Sequence, residues 1–203
     1  MNTKAFYDNV RETLFKGSLT QGVVDTLNTI LAACEKNGIS DKRQVAYILA
    51  TAKHESYHEL WNPEWLPVRE GWGITDKSAI AAVTSLFNQN RISVNYALPY
   101  KNGLSYFGRG YAQITHYPNY LRVGKRIGID LANHPEYALR RDVAADIITV
   151  SMREGLFTGR KLSDYINSKL LDYKNARRII NGTDAADRIS ALAITFYNSL
   201  VFK

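Results

Sequence analysis

The chain has 203 residues, of which 45% are hydrophobic. That is enough for one sizeable core, or two lobes around a cleft, and it excludes a disordered chain. The formal net charge is +7, which favours polyanions: nucleic acid, an anionic membrane or a carboxylate-rich wall polymer. A plain solvated basic face is the competing reading. The single cysteine, Cys34, rules out an internal disulfide, and its place in the apolar stripe Val24, Leu27, Ile30, Leu31 makes it a buried thiol rather than a nucleophile. No run reaches the roughly 18 apolar residues of a membrane span. The opening MNTKAFYDNVRE carries no apolar signal core, so synthesis in a (host) cytoplasm is expected.

No repeat, low-complexity tract or linker interrupts the sequence, and one domain spanning 1–203 is expected. Phe6, Val10 and Leu14 recur at helical spacing. A second helix starts after Thr20 and stops at Asn37-Gly38. A third starts after Ser40 and carries Val45, Ile48, Leu49 and Ala52 on one face. Residues 61–75 break the pattern with two prolines, two glycines and three tryptophans. A helix near 76–88 follows. Residues 89–114 are irregular, rich in Tyr, Asn and Gly, with room for short strands. Pro118 suits a helical first turn, and helices near 141–155, 173–180 and 185–199 complete the chain. Two aromatic-rich irregular stretches on a helical scaffold are the usual setting of a binding site. Trp61, Trp65 and Trp72 suit stacking on sugar rings; burial in a small lobe is the alternative.

His54-Glu55-Ser56-Tyr57-His58 is a literal H-E-x-x-H, which on a helix reads as a zinc peptidase site with Glu as general base. Helical phase argues otherwise. At about 100° per residue, Glu55 falls at the edge of the apolar face and both histidines fall away from it. A carboxyl against apolar surface is hard to ionise, which suits a general acid. The extended zinc pattern also fails, since positions 61 and 64 are Trp and Glu. Glu64 or Glu70 remains available as a third ligand.

The run Phe107-Gly108-Arg109-Gly110-Tyr111-Ala112-Gln113-Ile114-Thr115, followed by His116-Tyr117-Pro118-Asn119, gathers short polar groups behind two glycines. It resembles the signature of the family 19 glycoside hydrolases, the chitinases and lysozyme-like endolysins: Gly-Arg-Gly-x-x-Gln-Leu/Ile-Ser/Thr with an Asn four residues on. His54-Glu55 resembles the family's His-Glu at the end of a long helix. Pro67-Val68-Arg69-Glu70 and the segment from Asp146 to Ile166 resemble a phage- and bacterium-associated branch. Ile179-Ile180-Asn181-Gly182 with Asp187-Arg188-Ile189 resembles a C-terminal motif whose Asn and Arg line the cleft. The blocks run in family order over about residues 45–200. Departures are also visible. Tyr57 and His58 replace glycines, the stretch from Glu55 to Pro67 is lengthened, and family disulfides and a chitin-binding module are absent.

The resemblance implies a mainly α, lysozyme-like (α+β) two-lobed fold with a central glycan cleft, and an inverting mechanism with two carboxylates. Glu55 would be the acid and Glu70 the base, with Glu64 as the alternative. Thr115 would position water. Tyr106, Arg109, Gln113, Asn119, Asn181 and Arg188 would hold sugar or orient carboxylates. Arg188 could instead pair with Asp184 or Asp187, and Asn181-Gly182 could be a mere helix stop. His116 and His134 read as structural. Expected substrates are peptidoglycan, cut between N-acetylmuramic acid and N-acetylglucosamine, or chitin. The expectation includes no cofactor or metal, no nucleic-acid partner, a monomer, electrostatic attraction to an anionic wall or membrane, and action at the periplasm or wall after release. A non-catalytic glycan-binding module and a zinc peptidase are the competing classes.

Overall fold

The computed structural model describes residues 3–201. Its order is α1 (Thr3–Leu14), α2 (Gln21–Lys36), α3 (Lys42–Ser56), β1 (Val68–Arg69), a 3-10 turn (Glu70–Trp72), α4 (Asp76–Asn88), β2 (Arg109–Gly110) and α5 (Tyr117–Ile127). A 3-10 segment (Pro135–Leu139), α6 (Arg141–Glu154), the single turn α7 (Leu162–Tyr165), a 3-10 segment (Asn175–Ile179) and α8 (Ala186–Val201) follow. The fold is mostly helical with one small antiparallel sheet, as the sequence led us to expect.

The caps sit where the side chains require them. Thr20 accepts from the Val23 N–H at 3.2 Å and starts α2, and Asp41 accepts from the Arg43 N–H at 2.9 Å and starts α3, each satisfying a helix-end donor. Helix α3 is the hub. Every residue from Val45 to Ala52 is buried, so neither side of it is left to solvent, the mark of an internal helix. It packs most extensively on α8, whose Ile189, Ala193, Phe196 and Leu200 recur at helical spacing and are buried. The segment 173–180 differs from the expected α-helix only in being a tighter 3-10 turn at Asn175–Ile179.

The main core joins α1, α2, α3, α6 and α8 through Phe6, Leu27, Ile30, Ile48, Ile148 and Phe196. A second core gathers Tyr106, Ile114, Tyr120, Val123 and Ile147. A third, smaller one joins Ala79 and Val83 of α4 to Ala97 and Phe107. The two-stranded sheet pairs Val68 with Gly110 and Arg69 with Arg109.

The three tryptophans do not share one environment. Trp65 is wholly buried in the main core, while Trp61 is 73% and Trp72 39% exposed. Trp65 therefore fulfils the packing reading and the other two remain open for stacking. Trp65 also pins the end of α3, donating its indole N–H to Ser56 Oγ at 3.0 Å. Asn62 donates to the Ser56 carbonyl at 2.7 Å. The extra residues after Glu55 are thus folded back as a plug. Truncating a fully buried indole costs about 3–5 kcal/mol. We expect Trp65→Ala to lose stability on that scale in denaturant unfolding, with Trp61→Ala changing it by under about 0.5 kcal/mol.

Candidate active site

Glu55 lies in the last turn of α3, one residue before its end at Ser56. Its side chain is 19% exposed and its Oε1 accepts from Arg177 Nη1. Arg177, itself 4% exposed, also donates through Nη2 to Asp184 Oδ2 at 3.0 Å and through Nε to the Asp184 carbonyl at 3.1 Å. No other hydrogen bond reaches Glu55 among the described residues. One carboxylate oxygen is thus fixed by Arg177 and the other is unclaimed. The expectation placed Glu55 against apolar surface; the structure adds a guanidinium that faces it.

Sequence reading chose Arg188 and missed Arg177. The available signal was the pattern Ala176-Arg177-Arg178-Ile179, in which Arg177 shares the buried side with Ala176 and Ile179. Arg188 pairs with neither acid proposed for it, because Asp184 binds Arg177 and Asp187 binds Lys174 at 2.8 Å. It lines a cavity with Lys53 and His54.

Glu70 opens the 3-10 turn after β1. Its Oε2 accepts from the Gly108 N–H at 2.8 Å and its Oε1 from the Tyr96 hydroxyl, while its own N–H donates to the Gly108 carbonyl at 2.8 Å. A Cβ on Gly108 would fall 2.4 Å from Gln113 Oε1 and 3.1 Å from Glu70 Oε2, so glycine is needed for this close approach. Tyr96 was not anticipated; it lies in a loop without periodicity. Burial raises the Tyr96 hydroxyl well above its ordinary range, and the carboxylate of Glu70 adds to this. Burial lowers His116, partly opposed by Glu70.

Glu64 is engaged elsewhere. Its Oε2 accepts from the Gly22 N–H at 2.9 Å, in the first turn of α2, where the helix dipole favours an anion. It serves that helix end.

The remaining expected residues have different surroundings. Gln113 reaches the Val68 carbonyl at 3.3 Å, and its buried Oε1 has no partner among the described residues. Thr115 offers its carbonyl to Asn119 Nδ2 at 2.8 Å, leaving its hydroxyl uncommitted. Asn119 also accepts from Arg122 at 3.0 Å. Asn181 is exposed, and Gly182 does not take the left-handed conformation of a helix stop.

Tyr106 and Arg109 require correction. They are 1% and 2% exposed. Tyr106 donates to the Ala132 carbonyl at 2.5 Å. Arg109 stacks 3.6 Å from the Phe107 ring centroid, and donates to Tyr120 at 3.1 Å and to Asp76 at 3.3 Å. Asp76 also accepts from Arg69 at 2.7 Å, so it clamps the facing arginines of the sheet. Burial pushes the Asp76 carboxyl up, but Arg69 and Arg109 together outweigh that and hold it below its usual range. Both residues brace the loop from inside rather than offering atoms to a sugar.

The zinc geometry also fails. Helix α3 stops at Ser56, so His54 and His58 do not stand one turn apart on a helix face. His58 Nδ1 accepts from the Leu60 and Trp61 N–H groups at 3.1 and 3.3 Å, and its ring stacks on Trp61 at 4.2 Å. His134 stacks on Tyr137 at 4.8 Å, a surface contact. Burial lowers His54, with Glu55 opposing and Arg177 and Arg188 reinforcing the shift. Cys34 is buried, and its thiol is pushed up to about 12 by that burial.

A helical scaffold presenting two separately braced carboxylates, beside exposed aromatic rings, has the parts of a glycoside hydrolase. The family model of class I chitinases, glycoside hydrolase family 19, matches residues 25–157, and the chain belongs to that family. It is an O-glycosyl hydrolase by membership. The fold is also similar to the crystal structure of a bacterial family 19 chitinase, at a TM-score of 0.55 and 19% identity, covering 98% of this chain and 94% of that one.

The Arg177 geometry has a direct consequence. A guanidinium shared by two carboxylates is a bidentate holder that Lys cannot reproduce. We expect folded Arg177→Lys to lose about tenfold to a hundredfold in kcat with KM changed far less. Arg177→Met should lose more, since it leaves the partly buried Glu55 unpaired. Steady-state kinetics alongside thermal unfolding separate this from a general loss of fold.

Proposed function

We propose that the chain hydrolyses β-1,4 glycosidic bonds of peptidoglycan, between N-acetylmuramic acid and N-acetylglucosamine, with inversion. The observation that carries this reading is the pair Glu55 and Glu70, each held by its own fixed donors on a different element of a family 19 chain. Glu55, with one oxygen fixed by Arg177, protonates the departing glycosidic oxygen through the other. Glu70 has four lone-pair sites, of which Gly108 and Tyr96 take two; a remaining one takes the proton of water. That water attacks the anomeric carbon from the opposite face, in the space that inverting carboxylates about 6.5–9.5 Å apart leave for it. Thr115 orients the water, and Gln113, Asn119, Asn181 and Arg188 hold the glycan. Trp61 and Trp72 provide apolar rings for sugar faces.

The +7 charge supports the anionic wall polymer over neutral chitin. Chitin is the second reading, favoured by the similarity to a bacterial family 19 chitinase. In the first reading the protein resembles an endolysin: it is made in a cytoplasm and acts on the wall after release.

Mass spectrometry of purified peptidoglycan after digestion tests the reaction. New reducing-end sugars support it; freed amines or peptides identify a peptidase, and an unchanged wall with cleaved chitin oligomers selects the second reading. Glu55→Gln should keep the fold and lose at least about 10²–10⁴-fold in rate. Glu70→Gln should lose comparably and be partly rescued by azide. Glu64→Gln should keep activity and lose about 0.3–1 kcal/mol of stability from the end of α2. A dead Glu64→Gln beside an active Glu70→Gln would reverse the assignment.

A further inference from the structure

A cavity of about 270 Å³ is lined by His54, the residue before Glu55, and by Lys16, Lys53, Tyr57, Glu59 and Arg188, among others. Three cations face a single carboxylate there, and Lys16 already pairs with it at 2.6 Å. Lys53 makes no ion pair among the described residues. Its ammonium lies instead over the Tyr57 and Phe15 rings, 4.1 and 4.7 Å from their centroids. Arg188 is also unneutralised, since Asp184 and Asp187 are drawn off by Arg177 and Lys174. It sits in the first turn of α8, where the helix dipole disfavours a cation. The buried Nδ1 of His54 has no partner. Cations that outnumber the one carboxylate raise the energy of the empty pocket, and a bound anion would relieve it.

The geometry points to a carboxylate subsite in this pocket, made by Lys53 and Arg188 with His54 at its inner wall, taking a carboxylate of the wall glycan next to the cleaved bond. This rests on the glycan-hydrolase reading and deepens it. Burial, reinforced by Arg188 and Lys16 and opposed by Glu59, lowers the Lys53 ammonium to about 8, and an incoming carboxylate would favour its charged form. Two sources share this chemistry. One is the lactyl carboxylate of an N-acetylmuramic acid that has lost its peptide, and the other is a carboxylate of the stem peptide. Chitin has neither. The pocket would therefore make the enzyme prefer wall glycan over chitin by a charge contact rather than by the shape of the sugar site.

Calorimetric binding to the Glu55→Gln protein tests this without turnover. Three length-matched ligands serve: an N-acetylglucosamine hexamer, amidase-treated wall glycan with free lactyl carboxylates, and wall glycan still carrying stem peptides. At least one anionic glycan should bind tighter than the hexamer. Adding Lys53→Met should cut that preference about tenfold, the effect of one charge-assisted contact. Adding Glu59→Gln, at an exposed position that needs no repacking, should raise it. The glycan whose preference falls identifies the source. Equal binding of all three, or a preference that neither substitution moves, overturns the subsite. If Lys53→Met fails to fold, the Glu59→Gln result decides alone. A wild-type protein that cleaves no glycan but keeps a Lys53-dependent preference would defeat the hydrolase reading and leave the subsite standing.

Discussion

Arg177 is almost fully buried between two carboxylates, Glu55 and Asp184, and the arrangement of the helical lobe depends on that contact. A buried guanidinium without partners would cost several kcal/mol in desolvation. Partners on both sides offset the cost and fix three segments at once: the end of α3, the 3-10 turn at Asn175–Ile179 and the approach to α8. Because α3 is buried on all sides, Glu55 has little freedom to move as a unit. The plug of Asn62 and Trp65 on Ser56 closes the helix one residue later. On the proposed reading, Glu55 is a reactive carboxyl at the end of a rigid helix, with one oxygen held and oriented before any substrate arrives, and such preorganisation is a large part of catalytic efficiency.

The second carboxylate is held by a different device. Glu70 and Gly108 exchange hydrogen bonds across the start of the small sheet, side chain to N–H and N–H to carbonyl. The missing Cβ of Gly108 leaves room for Gln113 and Glu70 to approach its backbone. Arg109, the next residue, turns inward to Phe107, Tyr120 and Asp76. In Gly108-Arg109-Gly110 the glycine thus admits the acid and the arginine stiffens the loop. Residues in such a motif need not all touch ligand; half of this one works on its own framework.

The helices were legible because capping and periodicity are local. Thr20, Asp76 and Pro118 each stand at the helix start that their chemistry favours. Glu55 was legible for the same reason, at the end of an apolar helix. Arg177 was not, because its two partners lie 122 and 7 residues away, and an arginine in a basic stretch looks like surface. Tyr96 was hidden in a loop where no period constrains direction. Glu64, the alternative to Glu70, shows the same limit of local reading: nothing in the sequence reveals the Gly22 N–H that claims its carboxylate. Tyr106 and Arg109 were expected to hold sugar or orient carboxylates because they lie beside or within the Gly-Arg-Gly motif, and their position in the sequence does not show that both side chains turn inward.

The roles proposed for the two carboxylates, taken together, imply one stereochemical course. If Glu55 delivers a proton to the leaving oxygen while Glu70 draws a proton from water on the opposite face, each cleavage inverts the anomeric centre. Proton NMR of the first-formed product, recorded before mutarotation, reads this directly on a soluble β-1,4 glycan. The α-anomer at the new reducing end is the predicted result. An initial β-anomer would mean retention, and with it a mechanism in which Glu70 does not activate water on the opposite face.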